Sequence, residues 1–159
     1  YHNLNGGLSR YVKFRYFFNE ILNESINNEK INYLADQFSK IMRKRLVNPN
    51  LLIPSIINFI NEQYELGKIM HIVSGSDGNE LRELCKKLNI GHFFVSINGS
   101  PTHKSKLVKN IISKSKLNSS DYCLIGDAIN DYHAAQENLI TFFGYNNLKL
   151  KKLDNYFEI

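Results

Sequence analysis

The segment Leu124-Ile125-Gly126-Asp127-Ala128-Ile129-Asn130-Asp131 sets two carboxylates four residues apart behind an apolar run. If that run is a buried strand, Asp127 stands at its carboxyl tip and Asp131 opens the following helix, so both face one crevice. Oxygen donors on a short rigid turn, with room for water and a phosphate, suit Mg2+ better than zinc or calcium. The plainer alternative is that Asp131 caps its helix and Asp127 makes a turn. Ser74 closes another apolar run, Ile69 to Val73, and leads into Gly75-Ser76-Asp77-Gly78. A hydroxyl at a strand end, amides freed by glycine and a helix N-terminus behind them make a cradle for phosphoryl oxygens, although any tight strand-to-helix turn also uses Ser and Gly. Lys104 follows the loop Asn98-Gly99-Ser100-Pro101-Thr102-His103 and falls where a helix begins, the end that disfavours cations. A broken local rule of this kind marks an ammonium placed to neutralise a phosphate, with Lys106 as competitor and an ordinary surface lysine as the alternative.

The positions of these residues depend on the elements around them. Tyr11, Phe14, Phe18 and Ile21, then Ile31, Leu34, Phe38 and Ile41, repeat at helical spacing and predict a hairpin of two amphipathic helices, the second opened near Asn27 or Asn28. Arg43-Lys44-Arg45 and Asn48-Pro49-Asn50 end it and mark a boundary between residues 1–48 and 49–159. Beyond that boundary helices and short apolar runs alternate. Pro54 starts a helix that Gly67 stops; Ile69–Val73 reads as a strand; Leu81, Leu84, Cys85 and Leu88 lie on a helix; Phe93–Val95 is a second strand. Leu107, Val108, Ile111 and Ile112 lie on the next helix, Tyr122–Ile125 is a third strand, a short helix covers Asp131–Glu137, and Ile140–Phe143 is the last strand. Strands apolar on both faces and separated by helices indicate an α/β core with a mainly parallel sheet covered on both sides, preceded by a helical addition.

Ser after a strand, Lys after a loop and Gly-Asp-x-x-x-Asp after a strand, in this order and one α/β unit apart, resemble the second, third and fourth motifs of the haloacid dehalogenase superfamily. The likeness runs from about Leu51 to the C-terminus, and the helical hairpin resembles the cap that the family inserts after its first motif. The resemblance implies a Rossmann-like three-layer α/β/α core with a small helical cap, and Mg2+-dependent phosphomonoester hydrolysis through an aspartyl-phosphate. By motif, Ser74 and the amide of Gly75 hold phosphoryl oxygens, Lys104 offsets the charge on nucleophile and phosphate, Asp127 binds Mg2+, and Asp131 is a metal ligand or orients Lys104. The cap implies a small phosphorylated metabolite, such as a sugar phosphate. Arg10 and Lys13, after a glycine turn at Gly6-Gly7, are candidate cations for it, with a solvated helix face as the alternative. A phosphomutase on the same site, a non-catalytic member serving as a binding or regulatory domain, and an unrelated nucleotide-binding domain are the competing readings. No Gly-x-Gly-x-x-Gly and no Gly-Lys-Ser/Thr phosphate loop supports the last.

One family feature is missing from this sequence. The nucleophilic Asp-x-Asp should precede the cap, and Tyr1 to Arg10 contain no aspartate. In the family fold that motif ends the central strand, between the strands ending at Ser74 and Asp127. Its absence leaves two rows of backbone groups unpaired, so the sequence is expected to be a fragment whose nucleophile lies outside this chain, inactive by itself. Composition sets wider bounds. At 159 residues and 43% hydrophobic content the chain is that of a globular protein. The formal charge of +5 fits anionic ligands, while the lysines at 104, 106, 109, 114 and 116 lack the interleaved aromatics of a nucleic-acid stripe. No apolar run reaches the length of a membrane span, and Cys85 and Cys123 are expected to be reduced and buried; a cytoplasmic protein with neither nucleic-acid nor membrane partners follows.

Overall fold

The computed structural model describes residues 8–153 and 155–157; the Gly6-Gly7 turn lies outside them. The hairpin forms, but its buried face is only partly the one its periodicity marks: Ile31 is buried, whereas Ile21, Phe38 and Ile41 are exposed, and the second helix also buries Ala35 and Ser39. Helix α1 spans Arg10–Tyr16, continues as a π-helical turn over Phe17–Ile21, and is followed by α2, Asn28–Leu46. Asn27 is the N-cap of α2, its side chain accepting from the Lys30 amide at 2.8 Å. Phe14 meets Phe38 edge-on across the hairpin at 6.3 Å.

A 3-10 turn at Pro49–Leu51 leads to α3, Pro54–Glu65, with proline in its first turn and Gly67 ending it at φ +70°. Strand β1, His71–Asp77, is followed by α4, Gly78–Lys87, strand β2, Ser96–Ser100, and α5, Lys104–Ile112. Strand β3, Cys123–Gly126, then α6, Ile129–Glu137, β4, Thr141–Tyr145, and a short β5, Tyr156–Phe157, complete the order.

Two boundaries depart from the sequence reading. Phe93–Val95 is not a strand: Gly91–Phe93 form a 3-10 turn, and Phe93 is drawn into an aromatic cluster with His92 and Tyr64 of α3, whose ring lies 5.4 Å away. The strand is instead the mostly polar Ser96–Ser100, where only Ile97 is apolar, so apolarity gave the wrong register. Strand β1 also runs past Val73 to Asp77, because pairing with β2 resumes at Asp77 and Ser100 after an irregularity.

All observed pairings are parallel, but they fall into two separate ladders, β1-β2 and β3-β4-β5. Among the described residues no strand pairs with the second edge of β1 or of β3. Side chains on β3 register this directly: Cys123 is exposed and Ile125 is 37% exposed. The expectation of two buried cysteines is therefore corrected for Cys123, whose strand has a neighbour on one side only, and holds for Cys85 on the inner face of α4. The ladders share one apolar core. Val108 of α5, Ala134 and Ala135 of α6, Ile140, Phe142 of β4 and Leu150 form its centre, and Val73 of β1 and Leu124 of β3 pack against it. No helix among the described residues is long and apolar enough to cross a membrane.

Candidate active site

Gly126 ends β3, and the chain turns at once into α6. A Cβ built on Gly126 would lie 2.5 Å from Oδ2 of Asp131 and closer still to its Cβ and Cγ, so the carboxylate is seated in the space that glycine leaves. Asp131 is 4% exposed. Its Oδ2 accepts from the Ala128 amide at 3.0 Å, which caps the helix as the plainer reading has it. Its Oδ1 receives the Lys104 ammonium in an ion pair whose side chains are 10% and 6% exposed. One residue thus caps α6 and fixes the cation that starts α5. Opposite charges in contact, with the remaining oxygen also satisfied, offset the cost of taking both out of water.

Lys104 follows its N-cap His103 as the sequence places it, at the first position of α5. The ammonium pairs with Asp131, whose negative charge offsets the conflict with the dipole. Asn138, after α6, ties the two helices together, its amide donating to Ser105 O at 3.0 Å and Ala134 O at 2.8 Å.

Asp127 is exposed, and its backbone carbonyl accepts from Asn147 Nδ2 at 2.8 Å, which pins the turn while leaving the carboxylate on the surface. Asn130 was not singled out by sequence reasoning. Its Nδ2 is buried with no acceptor, an orphan donor between the two aspartates that calls for an oxygen. Position within the Asp127–Asp131 turn was the available signal.

Ser74 is half-buried on β1, and its Oγ accepts from the Ser76 amide at 3.1 Å. Asp77 caps α4, its carboxylate accepting from the amides of Asn79 at 3.0 Å and Glu80 at 3.1 Å. Gly99 crosses so close to this loop that a Cβ there would lie 2.7 Å from Gly78 Cα and 2.8 Å from Gly78 N. Ser74 follows Val73, and Lys104 and Asp127 open and follow elements that pack on the same core as Val73, so one core holds the supports of all four motif residues. The direct contact within the set is that of Lys104 with Asp131.

The hairpin cations differ from each other. Arg10 is turned into a contact with Glu80 at 2.7 Å and so gives its charge to another side chain. Lys13, one turn on, is half-buried, and that burial pulls its ammonium below the usual lysine pKa.

A metal would find few ready ligands here: among the described residues no three His, Cys, Asp or Glu side chains cluster. The donor set nevertheless fits Mg2+, which takes one or two carboxylates and completes its shell with water and phosphate. Asp127 offers an exposed carboxylate, and Asp131, its oxygens engaged by Lys104 and Ala128, is suited to act through Lys104.

Comparison with known proteins bears on the family. The haloacid dehalogenase-like hydrolase family matches residues 7–145. No curated protein sequence matched. Among solved structures, a predicted phosphatase from Clostridium acetobutylicum superposes with a TM-score of 0.77 at 15% identity, covering 97% of this chain and 74% of that one. A predicted phosphoglycolate phosphatase from Haemophilus somnus gives 0.73 at 15% identity, covering 98% and 70%. A haloacid dehalogenase-like family protein from Streptococcus pneumoniae gives 0.73 at 19% identity, covering 94% and 71%. At these identities the likeness shows the fold, and the family match spans both the hairpin and the motifs. The chain belongs to the haloacid dehalogenase-like hydrolases.

Proposed function

We propose that this chain supplies the phosphate- and Mg2+-binding half of a phosphomonoester hydrolase acting on a small phosphorylated metabolite, such as a sugar phosphate, in the cytoplasm. Residues 1–48 act as its cap and 49–159 as its core. The observation that carries the reading is the buried Lys104–Asp131 pair, whose acid follows the exposed Asp127 by four residues in the turn from β3 to α6, so that a cation and an exposed carboxylate stand at neighbouring element ends. The nucleophilic aspartate lies outside these residues, on the strand that fits between β1 and β3, where both ladders end on an unpaired edge.

Each residue then has a defined task. Ser74 Oγ and the Gly75 amide donate to phosphoryl oxygens. The Lys104 ammonium offsets charge on nucleophile and phosphate, and Asp131 keeps that ammonium in place. Asp127 would hold Mg2+, which when bound draws electron density from phosphoryl oxygens and eases attack at phosphorus. Asn130 Nδ2 donates to an oxygen of the incoming carboxylate or phosphate. Lys13 contributes positive charge from the cap; Arg10 is engaged by Glu80. The structural neighbours described as phosphatases support this choice of chemistry.

The test is phosphate release from a panel of phosphomonoesters, with and without Mg2+, by a longer protein that includes the nucleophile strand. Asp127→Ala should lower kcat by about 100-fold or more. Full activity in that variant, or equal activity in a metal chelator, refutes the assignment.

A further inference from the structure

We propose that Arg10, Ser39 and Glu80 form a clasp that fixes the helical hairpin on α4, and that the hairpin lifts by breaking this clasp without opening the apolar core. Arg10 Nη2 donates to Glu80 Oε2 at 2.7 Å, and Nη1 donates to Glu80 Oε1 at 3.3 Å and to Ser39 Oγ at 2.6 Å. Ser39 also meets Glu80 Oε1, and its hydroxyl donates to Ala35 O at 2.8 Å within α2. The guanidinium lies 4.9 Å from the Phe38 ring centre. Three elements, α1, α2 and α4, therefore converge on one carboxylate.

Glu80 is turned to the hairpin and not back to the start of its own helix. An acid three positions after an N-cap ordinarily folds back onto the helix start. Here Asp77 caps α4 with its own side chain, and Glu80 reaches outward to the hairpin. One turn further, Arg43 of α2 faces Glu83 of α4 at 3.9 Å, an exposed pair that continues the same seam. The central apolar cluster contains no hairpin residue. Ile31 and Ala35 are buried on the face of α2 that carries Ser39, so the hairpin keeps apolar contacts of its own, while the polar part of the seam is concentrated in the mostly buried Arg10–Glu80 contact, 13% and 18% exposed. Because Glu80 lies in the first turn of α4, which follows β1 directly, the hairpin is fastened close in sequence to the Ser74–Ser76 end of that strand. The clasp holds whether or not that strand end binds phosphate.

Amide hydrogen exchange on the full chain tests this. In Glu80→Gln, amides of α2 should exchange about tenfold faster or more, while those of α5, α6 and β4 stay within about threefold of wild type. The swapped pair Arg10→Glu with Glu80→Arg should recover part of the lost protection. Unchanged protection of α2 in Glu80→Gln overturns the proposal. If Glu80→Gln loses protection throughout, Ser39→Ala decides: faster exchange confined to the hairpin supports the clasp, and protection equal to wild type overturns it.

Discussion

Replacing Gly126 with alanine tests the seat on which Asp131 and Lys104 both depend. The added Cβ would lie 2.5 Å from Asp131 Oδ2 and nearer to two of its carbons, whereas non-bonded carbons settle at roughly 3.5–4 Å, so the carboxylate must shift by about 1 Å. It cannot do so and keep both the Lys104 contact and the 3.0 Å bond from Ala128 N. Forcing a methyl into a packed site costs about 1–3 kcal/mol, and losing the capping bond adds about 1 kcal/mol. The stiffer unfolded chain returns about 0.5–1 kcal/mol. A net loss of about 2–3 kcal/mol should lower Tm by about 5–10 °C in a chain of this size. Thermal unfolding followed by circular dichroism measures it, with Gly91→Ala as control, because a Cβ there meets nothing closer than 3.8 Å. A Gly126→Ala protein that melts within about 2 °C of the control refutes the packing argument.

Three further outcomes follow from single positions. Leu139 sits at φ +55° just past α6, 81% exposed, where the Leu139 and Ile140 amides close the helix end on Gln136 O and Ala135 O, so Leu139→Gly should raise stability by about 0.5–1 kcal/mol in denaturant titration. Burial lowers the His71 pKa, and its Nδ1 lies 2.7 Å from Ser96 Oγ. The unfolded chain then binds the proton more readily, so stability present above pH of about 6.5 is lost as the pH falls further, and His71→Gln should flatten that slope in melts between pH 7.5 and 5.5. Gly99→Ala should unpair the ends of β1 and β2 and cost more than about 2 kcal/mol, because the Cβ would meet the Ser76–Gly78 backbone, which cannot rotate away as a side chain can.

Much of the site was legible because its residues sit at element ends, where sequence signals are strongest. Pro54, Gly67 and Asn27 mark their helix boundaries as their chemistry requires. Lys104 at the head of α5 was conspicuous as a misplaced cation, and the structure supplies the reason in Asp131. Apolarity alone misplaced β2, since Phe93 serves an aromatic cluster while a polar stretch pairs with β1. The Arg10–Glu80 clasp was invisible because it joins residues 70 positions apart through side chains of no unusual type. Asn130 went unnoticed for a related reason: an orphan donor is defined by what surrounds it, and a sequence does not display surroundings.

The interrupted sheet also governs how the molecule comes apart. Strands within one ladder reinforce each other through shared backbone bonds, but among the described residues β1-β2 and β3-β4-β5 exchange none, so the coupling seen between them is through side chains. Helix α5 packs on β1, on β2 and on α6, and Val73 reaches the common core from the smaller ladder. The coupling between the two ladders thus rests on the apolar core they share, so a cavity made at Val108 or Ala134 weakens both at once.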